Sequence, residues 1–306
     1  AGAAALGRAA ALRGQGLDLP AGGDDVRPLD ADSIAARFEG WEQLPAPPLE
    51  APQAVVVPGP RRTVDDPIAI VGMGCVFPKA PDLASFWRLL RTGVDAVGDV
   101  PASHWSQNDY GDPDPASPDR TYGLRGAFLD PVDFDPTEFG IPPNILEATD
   151  TSQLLGLLVA QQALADAGYP ADGAWDRSRA SVVLGVTGTQ ELVINLGARL
   201  GHPHWWRALQ EAGVDEETAQ RVVDGIGRRY VQWQESSFPG LLGNVVAGRI
   251  ANRFDFGGTN CVLDAACASS LAAVHLGCME LQRGKSDLVL TGGVDALNDI
   301  FMHMCF

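Results

Sequence analysis

Residues 262–277 read VLDAACASSLAAVHLG and place Cys267 between a short apolar run and a long helical pattern. The run CVLD at 261–264 is rich in β-branched and apolar side chains, which predicts a buried strand. The pattern from Ala266 to Arg283 repeats its apolar residues at helical spacing, which predicts a helix. Small residues join the two, so the stretch predicts a strand, a tight turn and a helix, the building unit of an α/β layered domain.

The position of Cys267 suits a nucleophile. Backbone N–H groups in the first turn of a helix lack intrahelical partners and carry about half a positive charge, so they stabilise a thiolate and can hold an oxyanion. The side chains around the cysteine are small, which lets a substrate carbonyl approach the backbone; they are Ala265, Ala266, Ala268, Ser269 and Ser270. This pattern predicts that Cys267 is a reactive thiol.

The helix after the turn also carries an apolar stripe. Cys267, Leu271, Val274 and Cys278 recur at helical spacing, and we expect this stripe to bury the helix and hold the thiol rigidly. His275 lies two turns beyond the cysteine, about 12 Å along the axis, and so is not expected to be its base. A free cysteine is otherwise a small core residue, the interpretation that we adopt for the remaining four, which are Cys75, Cys261, Cys278 and Cys305.

The rest of the chain from Asp66 alternates strand and helix patterns. Predicted strands occupy 67–73 (PIAIVGM), 181–186 (SVVLGV) and 287–293 (DLVLTGG). Predicted helices occupy 82–93, 144–167, 205–213, 215–234 and 241–254. This alternation predicts an α/β domain at 66–306 with a largely parallel sheet.

The first 65 residues differ in texture. Six prolines between Pro45 and Pro60 predict an extended linker, and the pattern at 30–44 predicts a short docking or linker helix with Ile34, Phe38 and Trp41 on one face. The sequence lacks an initiating Met and is apolar up to Phe306. We therefore expect a linker or docking segment at 1–65, and a chain excerpted from a longer one.

Composition excludes several classes of function. The sequence has 39 acidic and 22 basic side chains, a formal net charge of −17, which disfavours nucleic acid as a partner. No apolar run reaches the roughly 18 residues of a membrane span, and arginines interrupt the Ala-rich start, so neither a membrane span nor a signal peptide is predicted. Five cysteines without a C-x-x-C pair favour a reducing compartment, and we expect a cytoplasmic protein.

Three stretches partly match motifs that bind a dinucleotide, a phosphate or a metal ion, but none of them completes its motif. Gly72 and Gly74 begin like a dinucleotide fingerprint without its third glycine, and we expect them to form a strand-ending turn. The GKS at 284–286 follows a helix, where a phosphate loop needs a strand. His202 and His204 lack a neighbouring carboxylate or cysteine to complete a ligand set. We expect no bound metal and no directly bound cofactor.

Four ordered motifs resemble β-ketoacyl synthase domains of the thiolase superfamily. DAACASSLAAVHLG resembles their nucleophile motif, and DPIAIVGMGCVFP, RGAFLDPVDFDPTEFGIPP and LVLTGGVDAL resemble their first strand, one of their loops and the strand after the nucleophile helix. The resemblance covers about 66–306. One block departs from the commoner M-D-P-Q-Q-R pattern and reads ATDTSQ at 148–153, which is similar to the branch found in multidomain polyunsaturated fatty acid and iterative polyketide synthases.

This resemblance implies a five-layered α-β-α-β-α fold, of which this chain supplies the N-terminal, nucleophile half. It implies that Cys267 takes an acyl group from the phosphopantetheine thioester of an acyl carrier protein. Condensation with a malonyl carrier protein then gives a β-ketoacyl product. The family's two histidines and lysine belong to the second half, and their motifs do not occur in this sequence. We therefore expect residues 1–306 alone to be incomplete for turnover.

Other interpretations remain open at the sequence level. A non-condensing homologue that acts as a chain-length factor or dimerisation partner usually lacks the cysteine, and a thiolase acting on free coenzyme A thioesters fits poorly with a proline-rich linker. The third alternative interpretation is a purely structural docking fragment. The resemblance also implies a homodimer formed through the strand at 260–264, whose apolar edge needs covering.

Overall fold

The computed structural model describes residues 66–169, 175–187 and 190–306. The predicted linker and docking segment at 1–65 lie outside the described residues. No helix within the described ranges is long and apolar enough to cross a membrane.

Five strands and ten α-helices form the described chain. The strands are β1 (Gly98–Asp99), β2 (Arg125–Gly126), β3 (Ala180–Gly185), β4 (Asn260–Leu263) and β5 (Leu288–Gly293). The helices are α1 (Leu83–Thr92), α2 (Gln107–Tyr110), α3 (Thr151–Asp166), α4 (Glu191–Arg199), α5 (His202–Glu211), α6 (Glu216–Gly227), α7 (Ser237–Gly240), α8 (Asn244–Phe254), α9 (Ser269–Gln282) and α10 (Ile300–Cys305). Short 3₁₀ helices occupy Pro143–Ala148 and Ala266–Ala268.

A parallel sheet of order β4-β3-β5 forms the centre of the described chain. Val182 of β3 is in register with Asn260 on one side and with Leu290 on the other. Every residue of β3 is buried, as expected for the middle strand of a sheet covered on both faces. The predicted parallel sheet is thus confirmed for the strands at 181–186, 261–264 and 287–293, within a residue at each end.

Helices cover both faces of the sheet. Val182 and Leu184 of β3 pack into an apolar cluster with side chains of α3 and α8, including Leu157 and Ile250. Alternate residues of a strand point to opposite faces, and Gly185 accordingly lies against the start of α9. The sheet with α3 and α8 on one face and α9 on the other makes an α-β-α arrangement.

The predicted helix at 144–167 is interrupted. A 3₁₀ helix ends at Ala148, and α3 begins after Asp150, whose carboxylate Oδ1 accepts the N–H of Ser152 at 3.0 Å. An aspartate at the N-cap satisfies one of the orphan N–H groups of the new helix, so a fresh start is favoured there. By contrast, the predicted helix at 82–93 forms as expected, with Asp82 as its N-cap and Gly93 closing it at φ 64°.

The predicted strand at 67–73 is wrong for the described structure. Ile70 is 83% exposed and the segment joins no strand. The backbone instead crosses α3, where the Met73 N–H donates to the Asp166 carboxylate at 2.9 Å. Gly72 and Gly74 allow this crossing, because a Cβ at either would lie within 2.7 Å of a backbone oxygen of α3. The two glycines therefore serve close approach to a helix, where the sequence predicted a strand-ending turn.

Candidate active site

Cys267 lies where the chain leaves the carboxyl edge of the sheet. β4 ends at Leu263, and the 3₁₀ turn Ala266–Ala268 leads into α9 at Ser269. The Cys267 side chain is a free thiol on the surface of the described structure. In parallel α/β sheets ligands bind outside the carboxyl ends of the strands, so the sheet places this thiol on the edge where chemistry is expected.

Two polar side chains hold the turn that carries the thiol. The carboxylate Oδ1 of Asp264 accepts the N–H of Ala266 at 2.9 Å. The hydroxyl of Ser269 accepts the N–H of Ala265 at 2.8 Å and donates to the carbonyl oxygen of Ala266 at 2.7 Å. Ser269 is 6% exposed, so its bonds are shielded from water. Sequence patterns identify Ser269 only as a small neighbour of the thiol and give no signal for either role.

Within the described part of the chain, one backbone donor of the turn has no acceptor. Ala268 donates its N–H to the carbonyl of Ala265 at 3.1 Å, and Ser269 donates its N–H to the carbonyl of Ala266. The N–H groups of Ala265 and Ala266 are taken by the two side chains. Among the residues that the structure describes, no acceptor pairs with the N–H of Cys267. That N–H is available to an oxyanion formed at the thiol's own reaction centre.

Glycines of two strands seat the turn on the sheet. A Cβ on Gly185 would lie 2.5 Å from the backbone carbon of Ser269, and one on Gly293 would lie 2.9 Å from the Cβ of Ser270. Both distances are too short for a real side chain. The ends of β3 and β5 therefore need glycine so that the first turn of α9 can rest directly on them.

The predicted burial of the apolar stripe on α9 is wrong. Leu271 is 75% exposed and Val274 is 40% exposed, whereas Ser269, Ala273 and Gly277 form the buried face. Small residues bring the helix close to the sheet, where Gly277 meets Val289 and Thr291 of β5. The thiol is thus fixed by its turn and by a face of small residues.

The other four cysteines differ in burial. Cys75 is buried, Cys261 and Cys278 are partly buried, and Cys305 is exposed, so the predicted core position is wrong for Cys305. Burial raises the pKa of the Cys75 thiol, and the charge of Asp82 adds to the effect. Burial also raises the pKa of the Cys261 thiol, with a further contribution from Glu280. Both thiols therefore hold less thiolate at neutral pH than an ordinary cysteine, which fits the predicted role of small core residues.

Comparison with known proteins places this chain in a family. The N-terminal domain model of the β-ketoacyl synthases matches residues 65–306. The chain belongs to the β-ketoacyl synthase family. It is 36% identical over 243 residues to a subunit of the polyunsaturated fatty acid synthase of Thraustochytrium, and 33% identical over 239 residues to polyketide synthase ThaG of Burkholderia thailandensis. Those alignments cover 79% and 77% of this chain but only 9% and 4% of the relatives.

Solved ketosynthase structures have the same fold. An oxazolomycin ketosynthase domain of Streptomyces albus, OzmH, is 30% identical with a TM-score of 0.58, over 77% of this chain and 35% of that one. A ketosynthase from module 6 of the bacillaene synthase of Bacillus subtilis is 26% identical with a TM-score of 0.55, over 78% of this chain and 33% of that one. The thiolase-like α/β fold predicted from the sequence is confirmed by these neighbours.

The block that departs from the commoner β-ketoacyl synthase pattern forms a buried polar junction. Asp150 accepts the N–H groups of Ser152 and Leu192, both at 3.0 Å, and so caps α3 and α4 with one carboxylate. Gln153 is fully buried and donates to three carbonyls, of which that of Gly240 lies at 2.9 Å. The polar residues of this block thus join α3, α4 and the segment around α7.

A small cavity of about 10 Å³ lies beside this junction, with space for about one water molecule. It is lined by the residues that follow β3 and β5 and by Asp150, Gln190 and Glu191. Burial raises the pKa of the Glu191 carboxyl, and the charges of Asp150 and then Asp299 raise it further. Sequence patterns gave no signal for this cavity, because its lining comes from separate loops.

The histidines of this β-ketoacyl synthase chain lie elsewhere than the thiol turn. His275 is exposed on α9, and His202 and His204 are exposed on α5. His303 donates from Nδ1 to the carbonyl of Gly123 at 2.8 Å and packs edge-on against Trp105. No group of three potential metal ligands occurs among the described residues.

Proposed function

We propose that Cys267 is the acyl-accepting nucleophile of a condensing enzyme. The supporting observation is the surface thiol of Cys267, whose own N–H meets no acceptor among the described residues. Asp264 and Ser269 hold its turn at the carboxyl edge of a ketosynthase sheet. The chain would take an acyl group from an acyl carrier protein and condense it with a malonyl group. Membership in the β-ketoacyl synthase family supports both steps.

The first step is a thioester exchange. The Cys267 thiolate attacks the carbonyl carbon of the acyl thioester, and the developing oxyanion accepts the N–H of Cys267. One such donor is typically worth about 10²–10³ in rate. Collapse of the tetrahedral intermediate expels the phosphopantetheine thiolate of the carrier, which takes up a proton, and leaves an acyl-cysteine thioester. The cysteine serves as nucleophile here and as leaving group in the next step.

The second step forms a carbon–carbon bond. Loss of CO₂ from a malonyl thioester leaves an enolate, whose carbon attacks the acyl-cysteine carbonyl. The Cys267 thiolate is expelled and a β-ketoacyl carrier thioester forms. Enolate formation needs hydrogen-bond donors aimed at the malonyl thioester oxygen. We assign the acyl-accepting role to Cys267. We assign no residue of this sequence to the donors that stabilise the enolate.

The partners follow from this chemistry. The enzyme binds no cofactor itself, and phosphopantetheine arrives on the acyl carrier protein. Similarity to part of a polyunsaturated fatty acid synthase and to a polyketide synthase supports a place in a multidomain synthase, with 66–306 as the nucleophile portion and 1–65 as a linker or docking segment. Five free thiols support a cytoplasmic location.

We further propose a homodimer that pairs β4 with its copy. β4 is an edge strand of the described sheet. The carbonyl of Thr259 accepts the N–H of Val182 on β3, and the carbonyl of Leu263 accepts the N–H of Val186, the residue after β3. The alternate residues of β4 therefore turn their backbone groups to the open edge. An open edge of this kind is a ready surface for a second strand.

A condensation assay with the full-length protein tests the enzymatic proposal. The protein is incubated with acyl and malonyl carrier proteins, and the carrier-bound product is identified by mass spectrometry. We expect a β-ketoacyl product from the wild type and none from Cys267→Ala. Binding of the carrier protein to Cys267→Ala is measured in parallel, because unchanged binding separates lost chemistry from lost docking. Product formation by Cys267→Ala would overturn the assignment, and absence of product from the wild type would favour a non-condensing partner.

A further inference from the structure

Ala266, the residue before the thiol, has a backbone conformation that alanine disfavours. Its φ is 49°, in the left-handed region that glycine adopts freely. The described residues contain three other non-glycine residues with positive φ, namely Lys79, Asp119 and Asp255. Aspartate tolerates this region because its side chain bonds to the local backbone, and Lys79 anchors its Nζ on the carbonyl of Asp95. Alanine has no such means, so its surroundings must hold it.

The hydroxyl of Ser269 connects the backbone groups on the two sides of Ala266 and so holds this conformation. It bonds the N–H of Ala265 and the carbonyl of Ala266, the polar groups on either side of the strained φ. Asp264 takes the N–H between them. If the bridge is lost, Ala266 can return to a common conformation and rotate the next peptide, which carries the N–H of Cys267.

We propose that Ser269 is a positioning residue that keeps Ala266 in the left-handed conformation and thereby aims the Cys267 N–H and thiol at the same carbonyl. The inference rests on the proposed role of Cys267 and adds a residue that never touches substrate. Strained backbone at a functional residue persists only where its neighbours over-determine it, and Ser269 is the neighbour with two bonds to this turn.

The proposal predicts that glycine at position 266 makes the Ser269 hydroxyl unnecessary. Glycine adopts the left-handed region without cost, so a glycine there should need no bridge. Ser269→Ala alone should slow acylation of Cys267 about tenfold, the factor that corresponds to the left-handed preference of alanine. The double variant Ala266→Gly with Ser269→Ala should acylate within about threefold of Ala266→Gly alone. A role of Ser269 in stability only predicts equal losses in both backgrounds.

The experiment measures the rate of Cys267 acylation by an acyl-pantetheine thioester in the full-length protein, for the wild type, both single variants and the double variant. Ser270→Ala is the matched control, since Ser270 is the exposed neighbour in the same turn. We expect a slow Ser269→Ala variant that Ala266→Gly rescues. An unchanged rate in Ser269→Ala, or a loss that Ala266→Gly does not rescue, overturns the proposal.

Two further outcomes are also decisive. If Ser269→Ala does not fold, the double variant Ala266→Gly with Ser269→Ala should still fold and acylate at a rate close to that of Ala266→Gly alone. A double variant that does not fold, or that acylates more slowly than this, overturns the proposal. Where the wild type itself shows no acylation of Cys267, the proposed function has failed. In that case a crystal structure of Ser269→Ala still tests the positioning role, because it shows directly whether Ala266 has left the left-handed region. Retention of a φ near 49° would overturn the proposal.

Discussion

At the scale of residues, one partly buried carboxyl lies among like charges. Glu191 begins α4 beside Asp150, which caps that helix, and Asp299 adds a third negative charge to the same region. Burial and the two like charges disfavour the ionised form of Glu191, which raises its pKa. A raised pKa in the folded state means that ionisation of this group opposes folding.

Glu191→Gln should therefore stabilise the protein in a pH-dependent way. Stability linked to the raised pKa is fully present below the unfolded carboxyl value, about 4.3, and is lost as the pH rises through the folded value. Gln cannot ionise, so the variant should unfold at higher urea than the wild type at pH 7 and at nearly equal urea at pH 4. Glu211→Gln, an exposed site on α5, is the control and should match the wild type at both values. A greater gain at pH 4 than at pH 7 would contradict this account.

At the scale of elements, contact between the sheet and the thiol turn depends on the absence of a side chain at the end of β3. Gly185 touches the backbone of Ser269, so any Cβ there pushes the first turn of α9 away from the sheet. The effect should reach the thiol, because the turn is covalently continuous with Cys267.

Gly185→Ala should destabilise the protein by about 1–3 kcal/mol, the usual cost of overpacking, and slow alkylation of Cys267 at neutral pH. Gly197→Ala on α4 is the control. A Cβ there meets nothing within 4 Å, and alanine favours a helix over glycine by about 0.5–1 kcal/mol, so this variant should be slightly stabilised. Urea unfolding checks both signs, and equal effects of the two substitutions would contradict the packing described.

Sequence patterns predicted the elements around the thiol well and their packing less well. Periodicity located β3, β4, β5 and the nucleophile helix, because each has its own local pattern. It misjudged which face of α9 is buried, since Leu271 and Val274 look like a core stripe while Ala273 and Gly277 decide how closely the helix can approach the sheet. The strand predicted at 67–73 is also wrong because a local pattern cannot show whether a distant strand is present to pair with it.

The strain at Ala266 could not be predicted from sequence. Local propensity disfavours alanine in the left-handed region, so only the bonds from Asp264 and Ser269 explain it. The nucleophile itself was predictable, because a cysteine between a strand and a helix start is a local pattern. Its support depends on side chains brought together by the turn.

At the scale of the whole molecule, the open edge of β4 predicts how two copies would meet. The backbone groups of Asn260 face away from β3, while those of Cys261 face toward it, because the two alternate along a parallel strand. Proline removes a donor, so its effect depends on which edge the residue faces.

Asn260→Pro should keep the fold and abolish the dimer, since proline is tolerated at the first residue of an edge strand. Cys261→Pro is the matched comparison and should lose folded structure, because it removes a bond to β3. Analytical ultracentrifugation gives the mass, and circular dichroism reports the fold. A monomeric wild type, or an Asn260→Pro variant that remains dimeric, would contradict pairing through β4.

The central claim, that Cys267 is the acyl acceptor, is tested most directly by mapping the acylated residue. The full-length protein receives a short pulse of acyl-pantetheine thioester at neutral pH and is digested for peptide mass spectrometry. We expect the acyl group on Cys267 and none on Cys75 or Cys261, whose pKa values are raised by burial. Acylation of Cys75 or Cys261 at a rate equal to that of Cys267, or an acyl-enzyme that forms undiminished in Cys267→Ala, would contradict the account.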